Sequence, residues 1–202
     1  DFQDRSIPIV NLDLKGSDWL FKGRTKLKTV IEEYQPAIVH ATLFKSELLA
    51  RVTLKSSSQV LVNSFVNDSY VKERYLRQTK LQNLKLNAYK IVDAITAKKV
   101  NYFISITDSI AQSNAKALGI PLSKITTIYR GRNINHFSVV QPQLKDGPFT
   151  FITVARLLKR KGYLELLEAA KILSGRSFDF KILVAGDGHD RAEFEKIVHA
   201  NR

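Results

Sequence analysis

The sequence predicts an α/β fold in two domains, each built on a parallel sheet, and three observations carry that prediction. The short apolar run Phe149 to Ala155 and the largely apolar Phe180 to Ala185 have the length and character of strands covered on both faces. Between them Tyr163, Leu166, Leu167, Ala170 and Leu173 recur at three- and four-residue steps with Glu165, Glu168 and Lys171 outside the stripe, so strand, helix and strand make one βαβ unit. The chain, at 202 residues, can bury two small cores, and the aperiodic stretch Val139 to Gly147 serves as linker, giving domains at 1–140 and 141–202.

The elements follow in order. Ile7 to Leu14 reads as a strand with Pro8 near its start. Gly23 to Tyr34 places Leu27, Val30, Ile31 and Tyr34 on one helical face, and Pro36 stops the helix. Ala37 to Ala41 is a short buried strand with His40 at its carboxyl end, the side where open α/β sheets bind ligands; a core histidine bonded to backbone is the alternative. Leu43 to Leu54 is a helix burying Leu48, Leu49 and Val52, and Gln59 to Phe65 is the next strand. The polar turn after it offers Asn67, Asp68, Ser69 and Tyr70 as substrate contacts or as an exposed Asx-type turn.

One or two helices fill Val71 to Lys99, with Leu81, Leu84, Ala88, Ile91 and Ile95 as the core-facing stripe and a basic polar face. Tyr102 to Ile106 is a buried strand, Thr107-Asp108 caps a helix from Ser109 to Leu118, and Gly119 and Pro121 end it. Ile125 to Tyr129 is the last strand of this half. It leads into Arg130-Gly131-Arg132-Asn133, where Gly131 lets the backbone turn or approach closely.

Composition narrows the function. There is no cysteine, which excludes disulfides, thiol catalysis and thiolate metal sites, and four scattered histidines argue against zinc. No apolar run reaches the roughly 18 residues of a spanning helix, and no signal-peptide pattern opens the chain, so a cytoplasmic location is expected. The net charge of +13 points to an anionic partner: nucleic acid, an anionic membrane surface or a phosphorylated substrate. Between Lys72 and Lys99 eight Lys or Arg face only two acids, Glu73 and Asp93. After the strand at Phe149, Arg156, Lys159, Arg160 and Lys161 precede Gly162 and a helix. Cations at a strand-to-helix turn suit a phosphate group, because the free N–H groups of a helix start already favour an anion; a solvated basic turn accounts for the same charges.

The run Ala155 to Gly162, A-R-L-L-K-R-K-G, resembles the G-R-x-x-x-x-K-G signature of the retaining GT-B glycosyltransferases of the group 1, or family 4-like, type, with Ala155 in place of glycine. V-A-G-D-G at Val184 to Gly188 resembles their next motif. Pro36 to Ala41 resembles P-D-I-V-H-x-H, with Thr42 at the second histidine, and Y-F-I-S-I-T-D-S-I-A resembles F-I-A-V-S-E-S-x-A. T-T-I-Y-R-G-R-N-I-N-H-F, ending at Phe137, resembles I-x-N-G-V-D-x-x-x-F, with Arg130, Arg132 and Asn133 as departures.

The resemblance implies two Rossmann-like domains, both represented in part: the first strand with its glycine-rich loop and the downstream glutamate pair have no counterpart. It implies transfer of a sugar from a nucleotide-sugar donor to a saccharide or lipid-linked acceptor with retention, in bacterial-type polysaccharide or glycolipid assembly. Arg156 and Lys161 would hold the donor diphosphate with no metal or other cofactor required, and Gly131, Arg132, Gly186 and Gly188 would complete the donor site. His40, Asn67, Asp68 and Tyr70 are the acceptor or cleft candidates. The competing reading, a non-enzymatic nucleic-acid binder, rests on charge alone, without RNP-like strands, zinc-finger spacing or a helix-turn-helix. The basic face of 72–99 is expected to dock on the anionic inner membrane face without insertion.

Overall fold

The computed structural model describes residues 7–16, 18–54, 59–131, 133–136, 147–176 and 178–200. They divide into two units, one ending at Ile134 and the other starting at Asn135. The expected linker and the 140/141 boundary fall largely on residues outside the described ones, as do Arg132 and Phe137.

In the first unit, four short runs rich in β-branched and aromatic residues pair in chain order and all in parallel: β1 (Ile38–Thr42), β2 (Val60–Phe65), β3 (Tyr102–Ser105) and β4 (Ile125–Thr127). Successive right-handed crossovers in one direction put the connecting helices on one face of such a sheet. These helices are α2 (Phe44–Thr53), α3 (Lys72–Leu76), α4 (Lys80–Ala97) and α5 (Asp108–Leu118), with α1 (Trp19–Tyr34) packed on α2. Gly23 makes that last contact possible, since a Cβ there would lie 2.9 Å from Leu14 and 3.1 Å from Leu49. The core lies between helices and sheet: Ala41, Leu61, Phe65 and Phe103 are buried with Ala50, Ala97 and Leu118, and Phe65 stacks on Phe103 with centroids 4.7 Å apart.

Alternate residues point the other way. Ile38 (62% exposed) and Tyr102 (60%) show that the opposite sheet face is open among the described residues, so β1 and β3 are half-buried rather than buried. Local signals place the helix ends. Thr107 Oγ1 accepts the Ile110 N–H at 3.2 Å, Gly119 closes α5 in the left-handed region at φ 68°, and Gln35 does the same for α1 ahead of Pro36. A capping box at Thr79 and Gln82 starts α4 afresh after α3. Helix α1 starts at Trp19, four residues before the expected Gly23.

Two further expectations fail in this unit. Ile7 to Leu14 is no strand: Asp13 has φ 42°, its N–H is held by Asn11 Oδ1 at 2.9 Å, and no described strand pairs with the segment. On α4, the face turned inward carries Leu86, Asp93 and Ala97, while Leu81, Leu84, Ile91 and Ile95 face solvent. The helix is apolar on two sides, and the buried pairing of Asp93 with Arg51 sets which side faces the core.

The second unit pairs β5 (Phe149–Val154) with β6 (Phe180–Ala185) in parallel, crossed by α6 (Tyr163–Ser174) and followed by α7 (Arg191–Ala200). Leu157, Tyr163 and Phe194 form its small core. Both strands were expected to be covered on both faces, yet Phe149, Ile152 and Val154 are exposed. Only two strands make up this sheet among the described residues, so its helices cannot cover it entirely.

Candidate functional site

Past the end of β5 the chain continues to bond to the exit of β6: Ala155 N–H donates to Ala185 O at 3.2 Å, Leu157 N–H to Asp187 O at 3.0 Å, and Asp190 N–H to Leu157 O at 3.2 Å. Glycine is required for this approach. A Cβ on Gly186 (φ 154°) would sit 2.0 Å from Ala155 O, and one on Gly188 2.4 Å from Leu157 O. The V-A-G-D-G motif therefore brings its backbone against A-R-L, and the two glycines have a packing reason independent of any ligand.

The basic turn then winds as a 3-10 segment, Lys159–Lys161, and Gly162 at φ 80° opens α6. Tyr163 OH ties the helix start to Ala155 O at 2.9 Å. The first N–H groups of α6 are left unpaired by the helix itself. The four cations of the turn are not equivalent. Lys159 Nζ reaches Glu193 of α7 at 2.7 Å, and that bond raises its pKa, while its backbone N–H donates to Asp190 Oδ2 at 2.8 Å. Arg156, Arg160 and Lys161 are exposed, and their side chains have no hydrogen bond or ion pair among the described residues. The arrangement is one engaged lysine and three available cations beside a helix start, which can bind an anion of several charges.

A cavity of about 320 Å³ lies in the first unit at the carboxyl end of β2, between α2, α4 and α5. Phe44 and Tyr89, with centroids 5.3 Å apart, form an aromatic wall; Ser64, Asn67, Tyr70 and Asn114 supply polar groups. Leu43 also lines it, at φ 74° in a region that L residues seldom adopt, a strain that collects near binding sites. Below lies an ion cluster that sequence reasoning missed. Arg51, fully buried, donates through Nε to Asn63 Oδ1 (2.8 Å), through Nη2 to Glu47 Oε2 (3.1 Å) and through Nη1 to Asp93. Tyr70 OH completes it, donating to Asp93 Oδ2 at 2.7 Å. Burial and the Asp93 charge push the Tyr70 hydroxyl well above its ordinary range.

The predicted acceptor residues separate on this geometry. Tyr70 and Asn67 line the cavity, whereas Asp68 is turned to Ser113, whose Oγ donates to it at 2.8 Å, and serves the loop instead. His40 is exposed rather than in the core, and its Nε2 lies 2.6 Å from Ser64 Oγ, at the cavity's edge. Gly131 has no positive φ and nothing within reach of a Cβ among the described residues, so none of them demands glycine there. Glu47 and Arg51, four residues apart on α2, have the spacing of an ordinary surface pair; the apolar Leu48, Leu49 and Ala50 between them are the signal that could have pointed to burial.

Burial pushes the Glu47 carboxyl up to about 7 from an ordinary 4.5, against the pull of Arg51. The native state thus keeps a proton that the unfolded chain releases as pH rises between these values. This contribution is fully present below pH 4.5 and lost through about 7, a total of about 3 kcal/mol. Urea midpoints followed by the fluorescence of Trp19, the sole tryptophan and a first-unit residue, are expected to fall from weakly acidic to weakly basic pH. Glu47→Gln is expected to remove most of that fall; an identical slope in the variant would refute the assignment.

Residues 136–201 match the family model described as Glycosyl transferases group 1. No curated protein matches the sequence. Among solved structures, a glycosyltransferase from Rickettsia africae ESF-5 is 19% identical with a TM-score of 0.69, over 99% of this chain and 52% of that one. Anabaena Alr3699/HepE in complex with UDP-glucose is 15% identical with a TM-score of 0.70, over 99% and 53%. The lipopolysaccharide outer core galactosyltransferase WaaB, in its apo form, is 19% identical with a TM-score of 0.58, over 91% and 46%. The chain spans about half the length of these structures. It therefore carries, in part, the fold of the GT-B glycosyltransferases, and residues 136–201 of its second unit match the Glycosyl transferases group 1 model.

Proposed function

We propose that the chain is part of a retaining glycosyltransferase that moves a sugar from a nucleotide-sugar donor to a saccharide or lipid-linked acceptor in bacterial-type polysaccharide or glycolipid assembly. The observation that carries this reading is the pair Arg156 and Lys161: exposed, without side-chain partners among the described residues, beside the α6 start and inside the segment that matches the family. As the sugar leaves, charge grows on the diphosphate. A guanidinium fork and an ammonium meeting it would stabilise that charge without reorganisation, so the reading calls for no metal or other cofactor.

The cavity of the first unit supports an acceptor role for that half. Its aromatic wall can cover the apolar face of a sugar ring while Ser64, Asn67 and Asn114 pair with hydroxyls. A structural relative, Anabaena Alr3699/HepE, is a complex with UDP-glucose, which makes a uridine diphosphate sugar the first donor to try. The reaction would run at the cytoplasmic side of the membrane.

Calorimetric titration of the full-length protein with a panel of UDP- and GDP-sugars, and with single-stranded RNA at low and moderate salt, tests the reading. Saturable binding of one nucleotide sugar, with RNA affinity collapsing as salt rises, is the expected result. Salt-resistant RNA binding with no nucleotide-sugar binding would replace the enzyme by a nucleic-acid binder.

A further inference from the structure

The face that α4 turns to solvent is apolar. Leu81, Leu84, Ala88, Ile91 and Ile95 follow at alternating three- and four-residue steps; Leu81, Leu84, Ile91 and Ile95 are each at least 60% exposed, and Val92 is 39% exposed beside them. This is a continuous stripe, larger than the isolated apolar residues ordinary surfaces carry. Around it stand Lys80, Lys85, Lys98 and Lys99, all exposed and none in an ion pair among the described residues. The one acid of the helix, Asp93, is buried on Arg51. No helix among the described residues is long and apolar enough to cross a membrane.

An apolar stripe rimmed by unpaired lysines, with no acid on the same face, suits few partners. Protein interfaces are depleted in lysine, and nucleic acid has no use for a row of leucine and isoleucine. An anionic bilayer surface uses both features: apolar side chains enter the boundary between headgroups and acyl chains while the lysines meet lipid phosphates. We infer that α4 lies along an anionic lipid surface with its apolar stripe shallowly inserted. This goes past docking by charge alone, which the basic composition suggests, and it does not rest on the transfer reaction.

The test is co-sedimentation of the full-length protein with phosphatidylcholine vesicles, pure or containing phosphatidylglycerol. Two variants are compared, Leu84→Glu/Ile91→Glu and Lys80→Glu/Lys85→Glu/Lys98→Glu. All five positions are exposed, so urea midpoints should stay native; Arg74 is left alone because its Nη1 holds Ser69 O at 2.8 Å. Expected are binding to the anionic vesicles only, a loss of at least about tenfold in the leucine-isoleucine variant, and a loss on the order of 100-fold in the lysine variant. Three results would overturn the inference. These are no binding to anionic vesicles, binding that ignores Leu84 and Ile91, and a concentration-dependent dimer that the leucine-isoleucine variant abolishes without any vesicle binding. Nucleotide-sugar titration of the same samples separates a failed surface from a failed donor site.

Discussion

Replacing Arg51 by methionine destabilises the first unit by about 3–5 kcal/mol, the cost of leaving buried acids without their cation. The guanidinium is wholly enclosed and holds Glu47 on its own helix, Asp93 on α4 and Asn63 on β2 at once, so one side chain fastens two helices to the central sheet. Glu47 can relieve its charge by keeping a proton, because its carboxyl is already pushed up to about 7. Asp93 then remains, with Tyr70 OH at 2.7 Å as its side-chain partner among the described residues. Arg51→Lys is expected to recover less than half the loss, since an ammonium cannot fork across three acceptors. Trp19 fluorescence during urea unfolding reads the effect in the unit concerned, and a loss under about 1 kcal/mol for Arg51→Met would show that the cluster is not holding the helices.

If Lys161 meets the donor diphosphate as proposed, Lys161→Ala in the full-length protein is expected to lower turnover on the order of 100-fold with an unchanged urea midpoint, the effect of removing a preorganised cation that faces a developing charge. The structure supplies an internal control. Lys159 lies two residues away with the same charge, but its Nζ is committed to Glu193 at 2.7 Å. Lys159→Ala therefore costs little turnover and instead loosens the link to α7. Equal losses in the two variants would mean that bulk positive charge, rather than a placed cation, matters in this turn.

Local chemistry was the part of the fold most legible in the sequence. Thr107, Gly119, Pro36 and Gly162 act through their own backbone and nearest neighbours, and each marks a helix end where the sequence puts it. The stripe of α4 was legible as a stripe but not as a direction. Periodicity gives the spacing of apolar residues, and the side that faces the core is fixed by Asp93 meeting Arg51, 42 positions earlier. The burial of β5 and β6 failed for a related reason: an apolar run records what a strand can have packed on it, while its exposure here reflects a sheet of two strands among the described residues. In the candidate site, Arg156 and Lys161 were named as candidates from charge and motif. Glu47 and Arg51 were not, because a helix-surface pair and a buried pair have the same spacing. Gly186 and Gly188 entered through the family resemblance as donor-binding residues, and the close approach of two backbones is the reason that glycine stands at both.

In the proposed function, Arg156 and Lys161 hold the diphosphate of the donor. Phosphorus NMR titration of the full-length protein with UDP addresses it without depending on the acceptor or on turnover. The expected result is saturable perturbation of both phosphorus resonances in the unaltered protein and in Lys159→Ala, with affinity reduced at least about 100-fold in Arg156→Ala/Lys161→Ala. Unchanged affinity in that double variant, with its fold intact, would move the donor site away from the exit of β5 and leave Arg156 and Lys161 without a role in donor binding.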